Sequence, residues 1–300
     1  MTKLLVIPSD MKDIKELSDL KINGFIVGLS QYSNFVDLQL TIPKLKIITK
    51  ELKQKEKEIF VVINKVIYNE DIPLLREYLL ILDDLKIDGI LYEDIGIIKI
   101  CQDLNIKTSL GWMNSHLLTN HQTCNYWYNR GVAYGFLANE ITLNEMLEIK
   151  QNTNIKTMVN VFGYLPVAQS SRHLITNYLA FIKTKNSKKI YNIFEAEKNT
   201  FFPIYEDKKG TYILSSHILN AIDVMPKLIK NKVDYVCLNS VMIKKDNFIK
   251  ICECFIESFN NINKPLIIKK LEAKVNEWSD NKTNKGFLYN ETIYRVKTNE

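Results

Sequence analysis

Short apolar runs rich in β-branched residues alternate along this chain with longer segments whose apolar residues recur at helical spacing. Residues 72–85 (IPLLREYLLILDDL) and 143–149 show the second pattern, with apolar positions three or four residues apart. This alternation predicts parallel strands joined by crossover helices. The eight candidate strands are Leu4–Ile7, Gly24–Leu29, Ile59–Asn64, Gly89–Glu93, Lys107–Gly111, Tyr134–Ala138, Lys156–Phe162 and Tyr235–Asn239.

Eight strand–helix units match a TIM-like (β/α)8 barrel, and we predict an α/β fold of that class. An open, doubly wound sheet would show the same alternation and remains the alternative, because periodicity does not report whether a sheet closes. Phe248–Phe259 is the predicted last helix of the barrel.

One connection is too long for a simple strand–helix link, since more than 70 residues separate the seventh strand from the eighth. Within it, the β-like runs Ile190–Glu195, Phe201–Glu206 and Thr211–Ser215 are separated by turn-rich sequences, which predicts an antiparallel meander. The predicted domains are a barrel over residues 1–262, a β-rich insertion within it at 180–232, and a C-terminal tail at 263–300 packed on or near the barrel.

Composition places the chain among ordinary globular proteins. Its hydrophobic fraction of 46% is enough for a large core. No apolar run approaches the roughly 18 residues that a membrane span needs, and no signal peptide is evident, so we expect a cytoplasmic protein with no membrane partner. Five cysteines without a C-x-x-C pair predict reduced, mostly buried thiols.

The basic residues are unevenly distributed. Residues 1–179 carry 19 Lys and Arg against 20 Asp and Glu, whereas residues 180–300 carry 21 against 14. One interpretation is that a chain rich in Ile, Lys and Asn simply has many solvated lysines. The other is an electrostatic footprint for an acidic partner such as RNA. The lysines of the insertion that would then bind RNA are Lys183, Lys185, Lys188, Lys189, Lys208 and Lys209.

Aromatic residues are interleaved with those lysines. Aromatic rings beside cations are the chemistry of single-stranded RNA binding, although the same rings would also suit the core of the meander. These residues are Tyr191, Phe194, Phe201, Phe202, Tyr205 and Tyr212.

Polar residues follow most of the predicted strands, and in a parallel barrel such residues converge on the open mouth. Some of these residues could instead have a purely structural role. Asp94 could cap the following helix, Glu140 could belong to the first turn of a helix, and Asn64 could bridge two loops. The polar residues at these positions are Asn64, Glu93, Asp94, Asn114, His116, Asn139, Glu140, Arg172 and His173.

Familiar catalytic motifs are missing from the chain. It has no G-x-S-x-G, no Walker-type loop and no G-x-G-x-x-G, which removes the commonest hydrolase and nucleotide-binding interpretations. Its four histidines, His116, His121, His173 and His217, all follow predicted strands but have no metal-ligand spacing, so we predict no metal site.

Several segments, in order, resemble the collagenase-like peptidase family (peptidase family U-32). Residues 22–28 (INGFIVG) and 87–94 (IDGILYED) resemble its G-x-D turn and its D-a-i-i-v-x-D strand. Residues 117–120, 127–134 and 139–146 follow the family order of T-N, fW-x-x-x-G and S-R-E-L-S-L-x-E-I. Residues 162–173 (FGYLPVAQSSRH) fall on the signature H-G-a-l-C-x-x-y-S-G-R-C.

The departures from that signature are informative. Pro166 and His173 stand at cysteine positions, no cysteine lies near residues 216–220, and Phe162 replaces the signature histidine. The iron–sulfur cluster that the family's cysteines imply is therefore not expected, and no other cofactor is certain. Together with the ending at residues 286–297 (GFLYNETIYRVK), these variants resemble a cluster-free branch of low-GC bacteria and mycoplasmas.

The resemblance implies two classes of function: collagen-degrading peptidase activity, and hydroxylation of RNA bases, either a tRNA wobble uridine or a large-subunit rRNA cytidine. The residues favour the second, since they supply neither a triad nor a metal-bound water for a peptidase. An endopeptidase remains the alternative, and a non-catalytic RNA-binding or scaffold protein is third. Further partners consistent with this interpretation are a small carboxylate ligand and a second subunit of the same family.

Candidate roles follow from the strand-end positions and from the family residues that are kept, which are Asn120, Glu140 and Arg172. The predicted catalytic residues are Asp94, Glu140, His173 and His217. The predicted substrate-binding residues are Asn64, His116, Asn120, Arg172 and Asn177, with Arg172 as the anion-binding residue.

Overall fold

The computed structural model describes residues 1–197 and 199–290. In chain order its strands are β1 (Lys3–Ile7), β2 (Gly24–Leu29), β3 (Gln39–Leu40), β4 (Glu58–Ile63), β5 (Gly89–Tyr92), β6 (Leu110–Trp112), β7 (Val132–Phe136), β8 (Lys156–Gly163), β9 (Pro166–Ser170), β10 (Ile190–Glu195), β11 (Thr200–Asp207), β12 (Gly210–Leu214), β13 (Ile218–Asn220), β14 (Tyr235–Asn239) and β15 (Thr283–Asn284).

Eight parallel strands form a closed barrel. Strands β1, β2, β4, β5, β6, β7, β8 and β14 pair in that order. Strand β14 pairs in parallel with both β1 and β8, with Cys237 opposite Leu5 on one side and Asn160 on the other. The predicted TIM-like (β/α)8 barrel is confirmed, and the open doubly wound sheet is excluded.

Two strands, β6 and β7, differ from the sequence prediction by two or more residues at one or both ends. Strand β6 begins at Leu110 rather than Lys107, because the backbone N–H groups of Lys107 and Thr108 donate to Asp83 Oδ1 at 2.9 and 2.7 Å. Those donors are unavailable to a sheet ladder. Strand β7 spans Val132–Phe136 rather than Tyr134–Ala138.

Helices connect the barrel strands and cover them on the outside. Several begin with proline in their first turn, where the missing N–H has no intrahelical partner to lose. Helix α6 begins with a capping box between Thr142 and Glu145. The helices are α1 (Met11–Ser18), α2 (Ile42–Gln54), α3 (Ile72–Asp84), α4 (Gly96–Asp103), α5 (His121–Tyr128), α6 (Leu143–Gln151), α7 (Leu174–Phe181), α8 (Met225–Lys230), α9 (Lys245–Asn260) and α10 (Pro265–Trp278).

The interior of the barrel is packed with side chains, so it is not a channel. Phe60, Tyr134 and Tyr235 make edge-to-face contacts with centroids 5.2 to 5.8 Å apart. At the amino-terminal end, Glu58 accepts hydrogen bonds from Lys3 Nζ at 2.7 Å and from the Tyr235 hydroxyl at 3.3 Å. This filling leaves the carboxyl-terminal end as the place for a ligand.

The predicted β-rich insertion is a four-stranded antiparallel sheet in the order β10-β11-β12-β9, which we call the insertion sheet. Strands β10, β11 and β12 lie where the meander was predicted, whereas β9 was not predicted. The sheet therefore starts at Pro166, directly after β8. Helix α7 packs on one face of it through Ile175 and Leu179, which contact Ile204.

The polypeptide after the insertion sheet returns to the barrel. Strand β13 pairs antiparallel with β8, and β15 pairs with β13. Helix α10, in the predicted tail, packs against α9. Residues 291–297 of the motif at 286–297 lie outside the described residues. Among the helices of the described part, none is long and apolar enough to cross a membrane.

Candidate functional site at the barrel mouth

A cavity of about 300 Å³ opens at the carboxyl-terminal end of the barrel, and we call it the mouth cavity. Strand ends supply one side of it, and residues 166–169 of β9 cover another. Its lining residues are Ile7, Phe35, Val36, Asn64, Glu93, Met113, Asn114, Ser115, His116, Phe136, Leu137, Asn139, Asn160, Tyr164, Pro166, Val167, Ala168, Gln169 and Asn239.

Six of the residues that line the mouth cavity carry side-chain amides. Asn160 Nδ2 donates to Asn139 Oδ1 at 2.8 Å, across the ends of β7 and β8. Asn114 Nδ2 donates to Glu93 Oε1 at 2.8 Å. An amide carries two donor hydrogens and an acceptor oxygen but no charge. These amides can therefore exchange hydrogen bonds with a ligand that carries both donors and acceptors.

The loop after β2 is fixed to the mouth by reciprocal hydrogen bonds. The Asn34 backbone N–H donates to Asn64 Oδ1 at 2.7 Å, and Asn64 Nδ2 donates back to the Asn34 carbonyl at 3.1 Å. Asn64 is buried and also lines the mouth cavity. The position of Asn64 is thus compatible with both predicted roles. It bridges two loops, and it also lines the mouth cavity.

The insertion sheet is attached to the same loop. The Tyr212 hydroxyl donates to Asn34 Oδ1 at 3.0 Å, and Asn34 Nδ2 donates to Gln169 Oε1 at 3.2 Å. Lys209 Nζ donates to the Ser33 carbonyl at 2.9 Å. These contacts hold β9 over the mouth cavity.

Among residues 1–197 and 199–290, Glu93 is the one carboxylate that lines the mouth cavity. Burial raises its pKa above the ordinary value of 4.5, although nearby His116 and the hydrogen bond from Asn114 oppose that shift. A carboxyl group with a raised pKa is a candidate for binding or proton transfer.

Replacing Glu93 by glutamine is expected to raise the free energy of unfolding at about pH 7 and to leave it unchanged at about pH 4. Because the folded-state pKa lies above 4.5, the folded protein holds this proton more tightly than the unfolded chain does. The stability that this group contributes is present below pH 4.5 and is lost as the pH rises through the folded pKa. Urea unfolding at both pH values measures the difference.

The matched control is Glu51→Gln on the exposed face of α2. It should change the free energy of unfolding by less than about 0.5 kcal/mol at either pH. A Glu93→Gln effect that is the same at both pH values would contradict the assignment of a raised pKa.

The rim of the mouth cavity carries a second acidic group. His116 Nδ1 lies 3.1 Å from Glu140 Oε1, and both side chains are partly exposed. His116 lines the mouth cavity, and Glu140 contacts it from outside. The structure therefore brings together two of the predicted site residues, one from the substrate-binding set and one from the catalytic set.

The other predicted catalytic residues lie away from the mouth cavity. Asp94 Oδ1 accepts the N–H of Gly96, the first residue of α4, at 2.8 Å, although the N-cap position itself is Ile95. His173 precedes α7, with Nδ1 3.4 Å from Glu206 Oε1. His217 Nδ1 lies 2.9 Å from Ser216 Oγ on the exposed turn before β13.

Three predicted substrate-binding residues also lie outside the mouth lining. Asn120 caps α5 by accepting the Thr123 N–H at 2.9 Å. Asn177 is exposed on α7. Arg172 is exposed just before that helix, and its guanidinium has no hydrogen bond or ion pair within residues 1–197 and 199–290.

Five of the six predicted RNA-binding lysines, Lys183, Lys185, Lys188, Lys189 and Lys208, are exposed. Lys209 is different, because its Nζ donates to Ser33 and to Gln39 Oε1, and burial lowers its pKa. Its position indicates a structural contact between the insertion sheet and the barrel.

Sequence reasoning missed three amides of the mouth cavity: Asn160, Gln169 and Asn239. Asn239 is the last residue of a predicted strand, so the rule that polar residues at strand ends meet at the mouth would have included it. Asn160 lies inside the apolar run MVNVF, where a single amide is itself a signal. Gln169 had no signal, because β9 was not predicted.

The cysteines do not form a set of cluster ligands. All five are buried, and burial raises the pKa of each thiol, to about 12 for Cys101 and Cys124 and to about 11 for Cys254. Among the described residues, no three His, Cys, Asp or Glu side chains are placed to hold a metal ion. These residues do not fit a thiolate-bound iron–sulfur cluster.

The fold is shared with a protein of known structure described as a U32 peptidase. The two superpose with a TM-score of 0.50 at 12% sequence identity, over 80% of this chain and 92% of that one.

Sequence comparisons identify the family. The tRNA hydroxylation protein P2 of Bacillus subtilis (strain 168) is 26% identical over 97% of this chain and 99% of its own length. The tRNA hydroxylation protein P1 of the same organism is 24% identical over 59% of this chain and 43% of its own length. A model of the family described as Peptidase family U32 matches residues 9–297. The resemblance carried by the ordered motifs is confirmed, and this chain belongs to peptidase family U32.

Proposed function

We propose that this protein acts in RNA base hydroxylation, on a pyrimidine such as a tRNA wobble uridine or a large-subunit rRNA cytidine. The observation that carries the proposal is the amide-lined mouth cavity, in a chain similar over nearly its full length to a protein named for tRNA hydroxylation.

A base in a stacked or paired RNA must leave the stack before a protein can act on its ring. The mouth cavity offers what a displaced base requires. Asn139, Asn160 and Asn239 present donors and acceptors to a base edge, while Phe136 and Tyr164 present aromatic surface to a base face. The amides of this lining are uncharged, so their contacts with a neutral base bury no net charge.

Within the cavity, we propose that Glu93 and His116 contact the base and that Glu140 orients His116 from the rim. The positions of Asp94, His173 and His217 outside the lining support no contact with that base.

We propose that the exposed lysines of the insertion contact RNA phosphates. Lys183, Lys185, Lys188 and Lys189 lie in one exposed segment after α7, and Lys208 is exposed at the turn between β11 and β12. Arg172 is proposed to bind an anion, either a phosphate or the carboxylate of a small molecule.

We further propose that the chain works without an iron–sulfur cluster of its own, since its thiols are buried. A second family member is a proposed partner, and the relatives named P1 and P2 in one organism support that idea.

The test is the mass spectrometry of nucleosides from tRNA and rRNA of a strain lacking the gene. Hydroxylated pyrimidine should be lost at one position and restored by a plasmid copy of the gene. Unchanged hydroxypyrimidine in both RNA classes would exclude the proposal.

The peptidase alternative has less support. A serine peptidase needs a Ser–His–carboxylate triad. Ser216 contacts His217, but the two residues are adjacent in the chain, and no carboxylate contacts His217 within the described residues. Cleavage of gelatin or casein by the purified protein, abolished by Glu140→Ala, would favour the peptidase.

A further inference from the structure

Helix α7 exposes two aromatic side chains that the fold does not use. Tyr178 is 62% exposed and Phe181 is 84% exposed, while Ile175 and Leu179 on the same helix are buried. Neither exposed ring forms an aromatic pair or a cation–π contact within residues 1–197 and 199–290. Large exposed apolar groups that are grouped together commonly mark a binding surface.

The segment that follows α7, residues 183–189, is strongly basic, and we call it the lysine loop. It contains four lysines and no acidic residue in the sequence KTKNSKK. Every residue from Phe181 to Ile190 is exposed. The two exposed rings therefore lie beside a concentrated positive charge.

A groove of about 370 Å³ runs between α7 and β10, next to the exposed rings. Leu174 and Tyr178 line it from the helix, and Asn192 and Ile193 line it from the strand. Helix α7 follows β9, which covers the mouth cavity, after a link of residues 171–173.

The other exposed aromatic pair of the insertion has a different environment. Phe194 and Phe201 face each other across β10 and β11, with ring centroids 4.9 Å apart. Cross-strand aromatic pairs stabilise hairpins, so these two rings already have a structural role and are not part of the proposed surface.

We propose that Tyr178 and Phe181 stack against unpaired bases of an RNA whose phosphates lie along the lysine loop. Aromatic faces beside a cationic track are the combination that binds single-stranded nucleic acid, because the rings take the bases and the cations take the backbone. This inference rests on the proposed function, since it names how the same RNA would be held outside the mouth cavity.

The experiment measures binding of a fluorescent single-stranded RNA of about ten nucleotides to the full chain at several salt concentrations. The double variant Tyr178→Ala with Phe181→Ala should bind at least about 30-fold more weakly, since each lost stacking contact costs about 1 kcal/mol or more. The slope of log K against log salt should not change, since no charge is lost. Replacing Lys185 and Lys188 by alanine should instead reduce the slope by about 0.7 per lysine.

Two controls separate stacking from general exposure. Leu266→Ala removes an apolar side chain that is 77% exposed on α10, and it should leave RNA binding unchanged. Tyr178→Phe with Phe181→Tyr keeps both rings and should restore wild-type affinity. Equal affinity of the double alanine variant and the wild type for RNA would overturn the proposal. The exposed rings would then be a surface for a protein partner instead.

RNA binding and base hydroxylation are separate readouts. If the rings are needed for RNA binding while a deletion strain keeps all its hydroxypyrimidine, the stacking surface stands and the proposed reaction fails. If hydroxylation is lost in the deletion strain but the double alanine variant restores it fully and binds RNA normally, only the stacking surface fails.

Discussion

Replacing Asn160 by leucine is expected to reduce RNA base hydroxylation by up to about tenfold, because a hydrogen bond of this partly buried amide is worth about 0.5–1.5 kcal/mol. Leucine has a similar size, but it has no donor for Asn139 Oδ1, which now accepts from Asn160 at 2.8 Å. It would also place a hydrocarbon surface against the polar edge of a base in the mouth cavity. The measurement is the fraction of hydroxylated pyrimidine in RNA from a deletion strain that carries the variant gene.

The matched control is Asn154→Leu, which removes an exposed amide between α6 and β8, outside the mouth lining. That variant should restore hydroxylation to the wild-type level. Normal hydroxylation by an Asn160→Leu protein that accumulates to wild-type amounts would show that this cavity does not hold the reacting base.

Replacing Phe162 by alanine is expected to lower the free energy of unfolding by about 3–5 kcal/mol, the usual range for a phenylalanine in a core. Phe162 is fully buried, and its ring lies 6.3 Å from that of Phe248 and 6.1 Å from that of Phe255. Alanine would leave a cavity between β8 and α9 that neighbouring side chains fill only in part. Urea or guanidinium unfolding, monitored by circular dichroism, measures the loss.

Phe194→Ala is the control for that experiment, since Phe194 is 51% exposed on the insertion sheet. It should cost less than about 1 kcal/mol, as most exposed substitutions do. A Phe162→Ala protein as stable as the Phe194→Ala protein would show that β8 and α9 are not packed as described.

The position of Phe162 explains how the chain tolerates a phenylalanine where the family signature has histidine. The register between β8 and β14 shifts there, since Cys237 is opposite Asn160 and Leu238 is opposite Phe162. The shift points the Phe162 ring outward, into the core between strands and helices. Strict alternation from Asn160 would have pointed it into the barrel.

The strands and helices of the barrel were predictable because their signals are local, whereas closure of the sheet has no local signal. Each barrel strand is a short apolar run, and each helix has apolar residues at helical spacing. This alternation can be recognised in the sequence without any knowledge of tertiary contacts. Strand β9 has no such signal. It is short and carries Pro166 at its start, and its middle residues are exposed, so no buried face imposes a period of two.

Part of the candidate site was predictable for a related reason. Asn64, Asn114, His116 and Asn139 follow strands, and a parallel barrel gathers such residues at one end. The same rule could not predict which of the neighbours Glu93 and Asp94 lines the cavity. Neighbouring residues point in different directions, and the backbone after β5 turns Glu93 into the cavity while Asp94 accepts the Gly96 N–H at the start of α4.

The sequence by itself determined the class of fold, the place of the long insertion, the family and the absence of the signature cysteines, because each depends on local periodicity or on residue identity in order along the chain. Only the tertiary structure decided which polar groups meet. The amides from five barrel strands and from β9 are distant in sequence, and closure of the barrel alone brings them to one mouth cavity. It also decided that Lys209 turns inward while Tyr178 and Phe181 remain exposed, since those outcomes depend on packing between the insertion and the barrel.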